Sequence, residues 1–416
     1  MMHKIGTLTK LNIASFLQSQ VFLFPVLLLF YQHHGLTIGD FFLFQGIYSL
    51  TRLFLEVPAG YLGDLFTKKD ILLLSYFFLI LRCCLLAFLA QYGYWIILIG
   101  EILSGVEKAF FSGAIDSYIY EYLDEHKRRN EMPKQYGILW AFIAAGATIS
   151  SLIASWLYHL ISQYSISAFG CDYGFIALIL IELVFNISAV ILIWKIPKIK
   201  KSAKAVKSPK VAYTDFISVV GKIINNVNLR YHLIFASFLW GTASLFAWTF
   251  QPMLQTMMFP VAAYGIVYFI NQLTRTIFSV KTATFAKHVT LFGFGCFIYG
   301  GFLICFILFS VVSEMQPLSF WENMLYFIFV SIIIAGQLVF SNIYTAYMHD
   351  VVSSDIRATA SSIYAMAGQL FGGIYLIWLK FLTEYLSVSV SMIVCLCLFI
   401  PMVIPLIKIM RHEKTA

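Results

Sequence analysis

R-L-F-L-E-V-P-A-G-Y-L-G-D-L-F-T-K-K, running from Arg52 to Lys69, starts as an apolar helix and ends as a charged loop. Arg52 and Glu56 stand four residues apart, on one helical face. Pro58, Gly60 and Gly63 follow, and small residues three apart let a second helix approach closely. Asp64, Lys68 and Lys69 close the stretch, placing a carboxylate and two cations in a short loop at a membrane surface.

The chain around this stretch has 416 residues, 60% hydrophobic and 12% charged. That is about half the charged fraction of a soluble domain, and the mean hydropathy is +0.84. Apolar segments fall near 11–32, 41–63, 71–90, 95–122, 136–161, 173–195, 231–256, 262–285, 290–312, 322–347, 357–380 and 386–408. Each is long enough to cross a hydrocarbon core of ~30 Å, so the sequence predicts an all-α membrane protein with about twelve spans. A β-barrel would alternate over ~10-residue segments, and that pattern is absent. Lys4 and Lys10 precede the first apolar run without a small-residue cleavage site, so that run reads as a span and not as a cleaved signal. The seven cysteines show no metal-ligand spacing, and Cys171 stands alone in an expected external loop. No metal or cofactor is expected.

From Lys195 to Lys210 the chain carries seven lysines and no acid. This run divides it into residues 1–195, a cytoplasmic linker over 196–229, and residues 230–416. The N-terminus, Lys68 and Lys69, the H-K-R-R run at 126–129, the linker, Lys287 and the C-terminal Lys408, Arg411 and Lys414 fall on one side. The loops near 33–40, 91–94, 162–172 and 313–321 hold no Lys or Arg. Both termini are therefore expected in the cytoplasm, with the protein in the cytoplasmic (inner) membrane. The net charge of +8 follows topology, so lipid is the expected partner and nucleic acid is not. The linker lysines read first as a topology marker and second as a contact for anionic lipid.

Gly60, Asp64, Lys68 and Lys69 resemble the signature of the major facilitator superfamily between its second and third helices, G-x-x-x-D-x-x-x-[RK]-[RK]. The resemblance implies two six-helix bundles related by a pseudo-two-fold axis, with a solute site at midplane between them. It also implies that Asp64 locks the cytoplasmic side against the start of the eleventh helix. That helix opens S-S-D-I-R-A, with Ser354 or Asp355 as N-cap and Arg357 as added partner. A-F-F-S-G-A-x-D-x-x-x-Y-[DE], from Ala109 to Glu121, resembles fourth helices of bacterial efflux members. Two departures stand against a drug/proton antiporter: Glu101 occupies the family's arginine position, and the fifth helix lacks a Gly-Pro-Gly signature.

Charge inside a span costs about 2.5–3.5 kcal/mol per residue and faces a cavity or a partner. The second span carries Arg52 and Glu56, the third Arg82, and the fourth Glu101, Glu107, Lys108 and Asp116. The sixth carries Glu182, facing its own half, and the eighth Arg275 and Lys281. Glu101, Ser104, Lys108 and Ser112 advance by three, four and four residues, a polar stripe that Asp116 continues. A carboxylate in low dielectric can load and release protons, which makes Glu101, Glu107, Asp116 and Glu56 the proton-coupling candidates. The competing reading is static pairing: Glu107 with Arg82, Glu101 with Lys108, and Glu56 with Arg52. Arg82, Lys108 and Arg275 suggest a basic site for an anion. Ser112, Gln18, Trp240, Trp248 and Gln251 are candidate lining residues, the last four because the family's first and seventh helices border the path. Gly368 and Gly372 form a G-x-x-x-G packing face.

The expected function is secondary active transport by a monomer, driven by a proton gradient, of a small organic anion such as a metabolite or siderophore-like molecule. The alternative is multidrug/proton efflux; a membrane receptor or scaffold that moves nothing ranks lower. No HExxH, nucleophile elbow or acidic metal cluster supports an enzyme.

Overall fold

The computed structural model describes residues 6–169, 172–199, 209–352 and 357–415, and every regular element among them is a helix. In chain order these are α1 (Thr7–Gln18), α2 (Leu27–His33), α3 (Ile38–Leu65), α4 (Lys68–Leu89), α5 (Tyr94–Glu125), α6 (Met132–Phe169), α7 (Gly174–Trp194) and α8 (Pro209–Asn225). They continue as α9 (Val227–Thr256), α10 (Tyr264–Val280), α11 (Thr282–His288), α12 (Leu291–Glu314), α13 (Phe320–Val351), α14 (Arg357–Thr383), α15 (Val388–Cys395) and α16 (Val403–Thr415). Cys171, Ser354 and Asp355 lie outside the described residues, as does the side chain of Asp64.

Starts are set by polar caps that satisfy the first free N–H groups. Thr67 accepts from Asp70 N at α4, Asn226 from Leu229 N at α9, Thr290 from Gly293 N at α12, and Ser387 from Val390 N at α15. Ser319 and Glu322 form a reciprocal capping box on α13. Among the described residues, eight helical stretches are long and apolar enough to cross a membrane, Gly174–Trp194 with a mean hydropathy of 2.7 being one.

Three of the expected apolar segments are broken. The segment near 11–32 divides into α1 and α2, with a 3-10 turn at Phe24–Val26. Its Ser19 Oγ donates back to the Phe16 carbonyl at 2.9 Å, and Pro25 has no N–H to continue a helix. The segment near 262–285 breaks at Lys281, between α10 and α11. The segment near 386–408 passes through a 3-10 stretch, Leu396–Met402, containing Pro401. Hydropathy is blind to such breaks because the flanking residues stay apolar.

The described parts of the linker expected over 196–229 are packed or helical. Ile196 and Ile199 are buried in the apolar cluster formed with Tyr118, Ile119 and Leu72, and residues 209–225 form α8.

The described helices fall into two compact units. The first comprises residues 1–36, 54–209 and 261–269; in it α4 lies against α5 and α7, and α1 against α6 and α7. Ser155 Oγ donates to the Ala262 carbonyl at 3.1 Å and accepts from Gly265 N at 2.8 Å. The second comprises residues 37–53, 210–260 and 270–416; there α9 lies against α14 and α13. A Cβ on Gly241 would meet Gly372 N at 2.8 Å, and one on Gly368 would meet the Trp240 ring at the same distance. The G-x-x-x-G face is therefore the α9–α14 packing seam. The N-terminal half of α3 belongs to this unit as well, with Lys380 Nζ 3.7 Å from Asp40 and also paired with Glu384.

Candidate functional site

In the first unit the polar chemistry gathers around Arg82 on α4. Its Nη1 lies 3.1 Å from Glu182 Oε1 on α7, and its Nη2 lies 4.0 Å from Glu101 Oε1 on α5. Arg82, Glu101 and Glu182 are 7%, 3% and 2% exposed, so each ion has traded water for the others. Glu182 also accepts from Leu23 N at 3.4 Å, and Cys83 Sγ lies 3.9 Å from both Glu182 and Asn186 Nδ2. The pairing differs from the static reading of the sequence: Arg82 takes Glu182 and Glu101, while Glu107 takes Lys108 at 3.5 Å and a hydrogen bond from Gln18 Nε2. The lone carboxylate in the apolar α7 was a visible signal, since no span keeps such a charge without a partner.

The gap between α1 and α2 is held by these carboxylates. Gln18, on its near side, donates to Glu107; Leu23, on its far side, donates to Glu182. Gln18, Gln20 and Leu23 are all buried, the setting in which a membrane tolerates irregular backbone. A Cβ on Gly146 of α6 would collide with Ser19 Oγ and the Phe16 carbonyl, so only glycine lets α6 approach the gap this closely.

The polar stripe of α5 is largely satisfied by its own helix. Ser104 Oγ donates to Gly100 O at 3.1 Å, and Ser112 Oγ to Ala109 O at 3.5 Å. Lys108 keeps 43% of its side chain exposed, its Nζ 5.6 Å from the Phe111 ring centre. Asp116 is hydrogen-bonded by Tyr136 of α6. Glu56 is half-buried on α3, and the guanidinium of Arg52 lies 5.8 Å from the Tyr48 ring centre.

The second unit is arranged differently. Arg275, on α10, donates to Gln272 Oε1 at 3.4 Å, one turn away on its own helix. No carboxylate pairs with it among the described residues, and its Nε has no partner. Asn271, four residues before it, reaches Ser331 Oγ of α13 at 3.5 Å. Lys281 is exposed at the α10–α11 break. Of the aromatic candidates, Trp240 packs edge-on against Tyr364, and Trp248 edge-on against Phe41 and Tyr48. Gln251 is 1% exposed.

The signature residues have local partners. Lys68 Nζ donates to Gly63 O at 2.6 Å, and Lys69 Nζ to Trp194 O and Ile196 O at 2.6 and 2.8 Å. Lys69 thereby satisfies carbonyls left free where α7 ends. Gly60 is exposed, and Arg357 is exposed at the first position of α14.

Comparison with known proteins agrees with this architecture. Residues 11–376 match the family described as Major Facilitator Superfamily. An uncharacterized transporter of Buchnera aphidicola is 25% identical over 336 residues, covering 79% of this chain and 77% of its own. Among solved structures, the nucleoside transporter NupG superposes with TM-score 0.73 at 15% identity, covering 98% of this chain and 99% of its own. A POT family transporter in complex with 5-aminolevulinic acid gives 0.72 at 12% identity, covering 98% and 95%. At such identities the two structures speak for the fold alone.

Proposed function

The chain belongs to the Major Facilitator Superfamily and is a multi-pass membrane transporter of a small solute, and we propose that it moves an organic anion in exchange with, or together with, protons. The observation that carries the anion is Arg275. A guanidinium in a membrane span needs a counter-charge, and none of the described residues supplies one. Arg82, the buried arginine of the first unit, is matched by Glu182 and Glu101, and the anion is assigned to Arg275, with Gln272 beside it.

Support for the proton comes from the buried carboxylates of the first unit. Glu101, Glu107 and Glu182 lie together beside Arg82 and Lys108. A carboxylate in such a low-dielectric, charge-coupled site can load and release a proton. Glu101 and Glu107 remain the carriers in this reading, and Glu182 joins the same coupled set. Twelve spans, two six-helix halves working by alternating access, cytoplasmic termini, an inner-membrane location and a monomeric state belong to the same proposal. So does the cytoplasmic gate of Gly60, Asp64, Lys68, Lys69 and Arg357.

The test is a thermal-stability screen of purified protein against organic anions, nucleosides, short peptides and lipophilic cations, repeated with Arg275→Gln. Anions are expected to stabilise the wild-type chain and to lose that effect in the variant. Stabilisation by lipophilic cations that survives Arg275→Gln would overturn the anion assignment and favour multidrug efflux through the acids of α5. For the gate, Asp64→Asn is expected to insert and fold normally while abolishing counterflow of the solute so identified. Normal counterflow by that variant would remove Asp64 from the mechanism.

A further inference from the structure

Where α11 meets α12, the chain leaves a groove of about 410 Å³ walled by Phe285, Val289, Thr290, Gly293, Phe294 and Phe297. Thr290 is the one polar wall residue, and its hydroxyl is turned to the start of α12, accepting from Gly293 N at 3.1 Å. Walls of this kind suit hydrocarbon. The aromatic side is a continuous stack. Ring centres lie 5.7 Å apart for Phe278 and Phe285, 6.1 Å for Phe285 and Phe294, and 6.4 Å for Phe294 and Phe297, each pair within 21° of parallel. Phe294 also meets Phe340 of α13, with 6.5 Å between ring centres, so the stack is braced by a neighbouring helix.

Position and charge say what fills it. The apolar span Leu291–Glu314 starts beside the groove. Phe297, six residues or about 9 Å further in, is 64% exposed, and an open phenylalanine at that depth faces lipid tails. Lys281 precedes the first residue of α11 and Lys287 stands in its last turn, before the span begins; both are exposed. From residue 264 to residue 313 the sequence has no Asp or Glu. Among the described residues no carboxylate pairs with either lysine. The groove therefore has an apolar body reaching into the hydrocarbon and a cationic rim at the level of the headgroups.

We propose that this groove is a site for one anionic phospholipid, with an acyl chain laid along Phe285, Phe294 and Phe297 and the headgroup phosphate met by Lys281 and Lys287. Apolar fit alone would accept any phospholipid. The two lysines make the site choose, since each cation near a membrane surface favours an anionic headgroup. The bound lipid would bridge α11 and α12 across Val289 and Thr290. The proposal stands apart from the identity of the solute and from proton coupling.

Photo-crosslinking of the full chain in detergent tests it, using a trace of phosphatidylglycerol with a diazirine in its acyl chain. Adducts are expected to concentrate on residues 285–297. Unlabelled phosphatidylglycerol should displace the probe at a concentration roughly tenfold lower than phosphatidylcholine requires, and glycerol phosphate should not displace it. Lys281→Gln with Lys287→Gln should make the two phospholipids compete equally. Val289→Trp should fill the groove and remove most adducts from 285–297 while those on other spans persist. The double glutamine variant alters exposed side chains only, so it keeps the test decisive if Val289→Trp disturbs folding. Adducts spread evenly over the spans, or equal competition by the two phospholipids on the wild-type chain, would overturn the proposal. So would displacement by glycerol phosphate, which would leave a phosphate site without a lipid, or crosslinks from 285–297 to a second copy of the chain.

Discussion

Arg82, buried on α4 of one unit, and Arg275, half-buried on α10 of the other, are the same side chain, and the structure treats them in opposite ways. Arg82 is closed in by Glu182 and Glu101 on neighbouring helices. Arg275 has a glutamine on its own helix and, among the described residues, no acid. The contrast extends to the units themselves. The first keeps Glu101, Glu107 and Glu182 buried within its spans, whereas no Asp or Glu stands in the middle of α9, α10, α12, α13 or α14. A buried cation with two anions is a fastening whose removal strands charge. A cation without an anion is a vacancy for one. Interchangeable in composition, the two arginines differ in what their loss should do.

The largest effect should follow from Arg82→Gln, which leaves two carboxylates buried without their cation. We expect a loss of about 3–5 kcal/mol, read as a marked drop in unfolding temperature in detergent. Arg275→Gln should change unfolding by less than about 1 kcal/mol while removing stabilisation by anions; equal losses from the two variants would dissolve the contrast.

Next comes Gly146→Ala, because the new methyl group would strike Ser19 and the Phe16 carbonyl at the first-span gap. A cost of about 1–3 kcal/mol is expected. Gly137→Ala, on the same helix with nothing within 4 Å, should instead be neutral or stabilise by up to about 1 kcal/mol. If the pair behaves alike in thermal unfolding, the gap is not held by α6.

Lys69→Met removes both hydrogen bonds that Nζ donates at the end of α7 and should cost about 0.5–1 kcal/mol. Lys198→Ala loses an ion pair whose lysine side chain is 59% exposed. It should cost less, at most about 1 kcal/mol, and the difference should vanish in high salt. A larger effect at Lys198 than at Lys69 would reverse the ranking of these two cytoplasmic contacts.

Much of this was legible in the sequence. The apolar runs gave the helical membrane architecture, because hydropathy reports directly on the energy of entering lipid. Glycines at Gly368 and Gly372 gave a packing seam, because only small residues permit such an approach. Pairing was less accessible. Glu101, Glu107 and Glu182 are chemically equivalent on paper, and which of them meets Arg82 depends on how α4, α5 and α7 are rotated, which is a tertiary fact. The signature lysines were read as parts of a gate, and their immediate partners proved to be helix-end carbonyls that no motif encodes. The break between Gln18 and Leu27 left a trace in Q-S-Q, residues 18–20, and in Pro25, but Gln18 was read as cavity lining and not as a change of backbone.

The Arg82–Glu182 pair also has a history in time. Its members are 100 residues apart in the chain, so a ribosome that has finished Arg82 spends roughly 5–20 seconds before Glu182 exists. During that interval the arginine is already in or near the bilayer, and Glu101, on the very next helix, is the first carboxylate able to meet it. Synthesis therefore offers a provisional partner before the permanent one arrives. In the folded chain both carboxylates stay against the guanidinium, Glu101 at 4.0 Å and Glu182 at 3.1 Å.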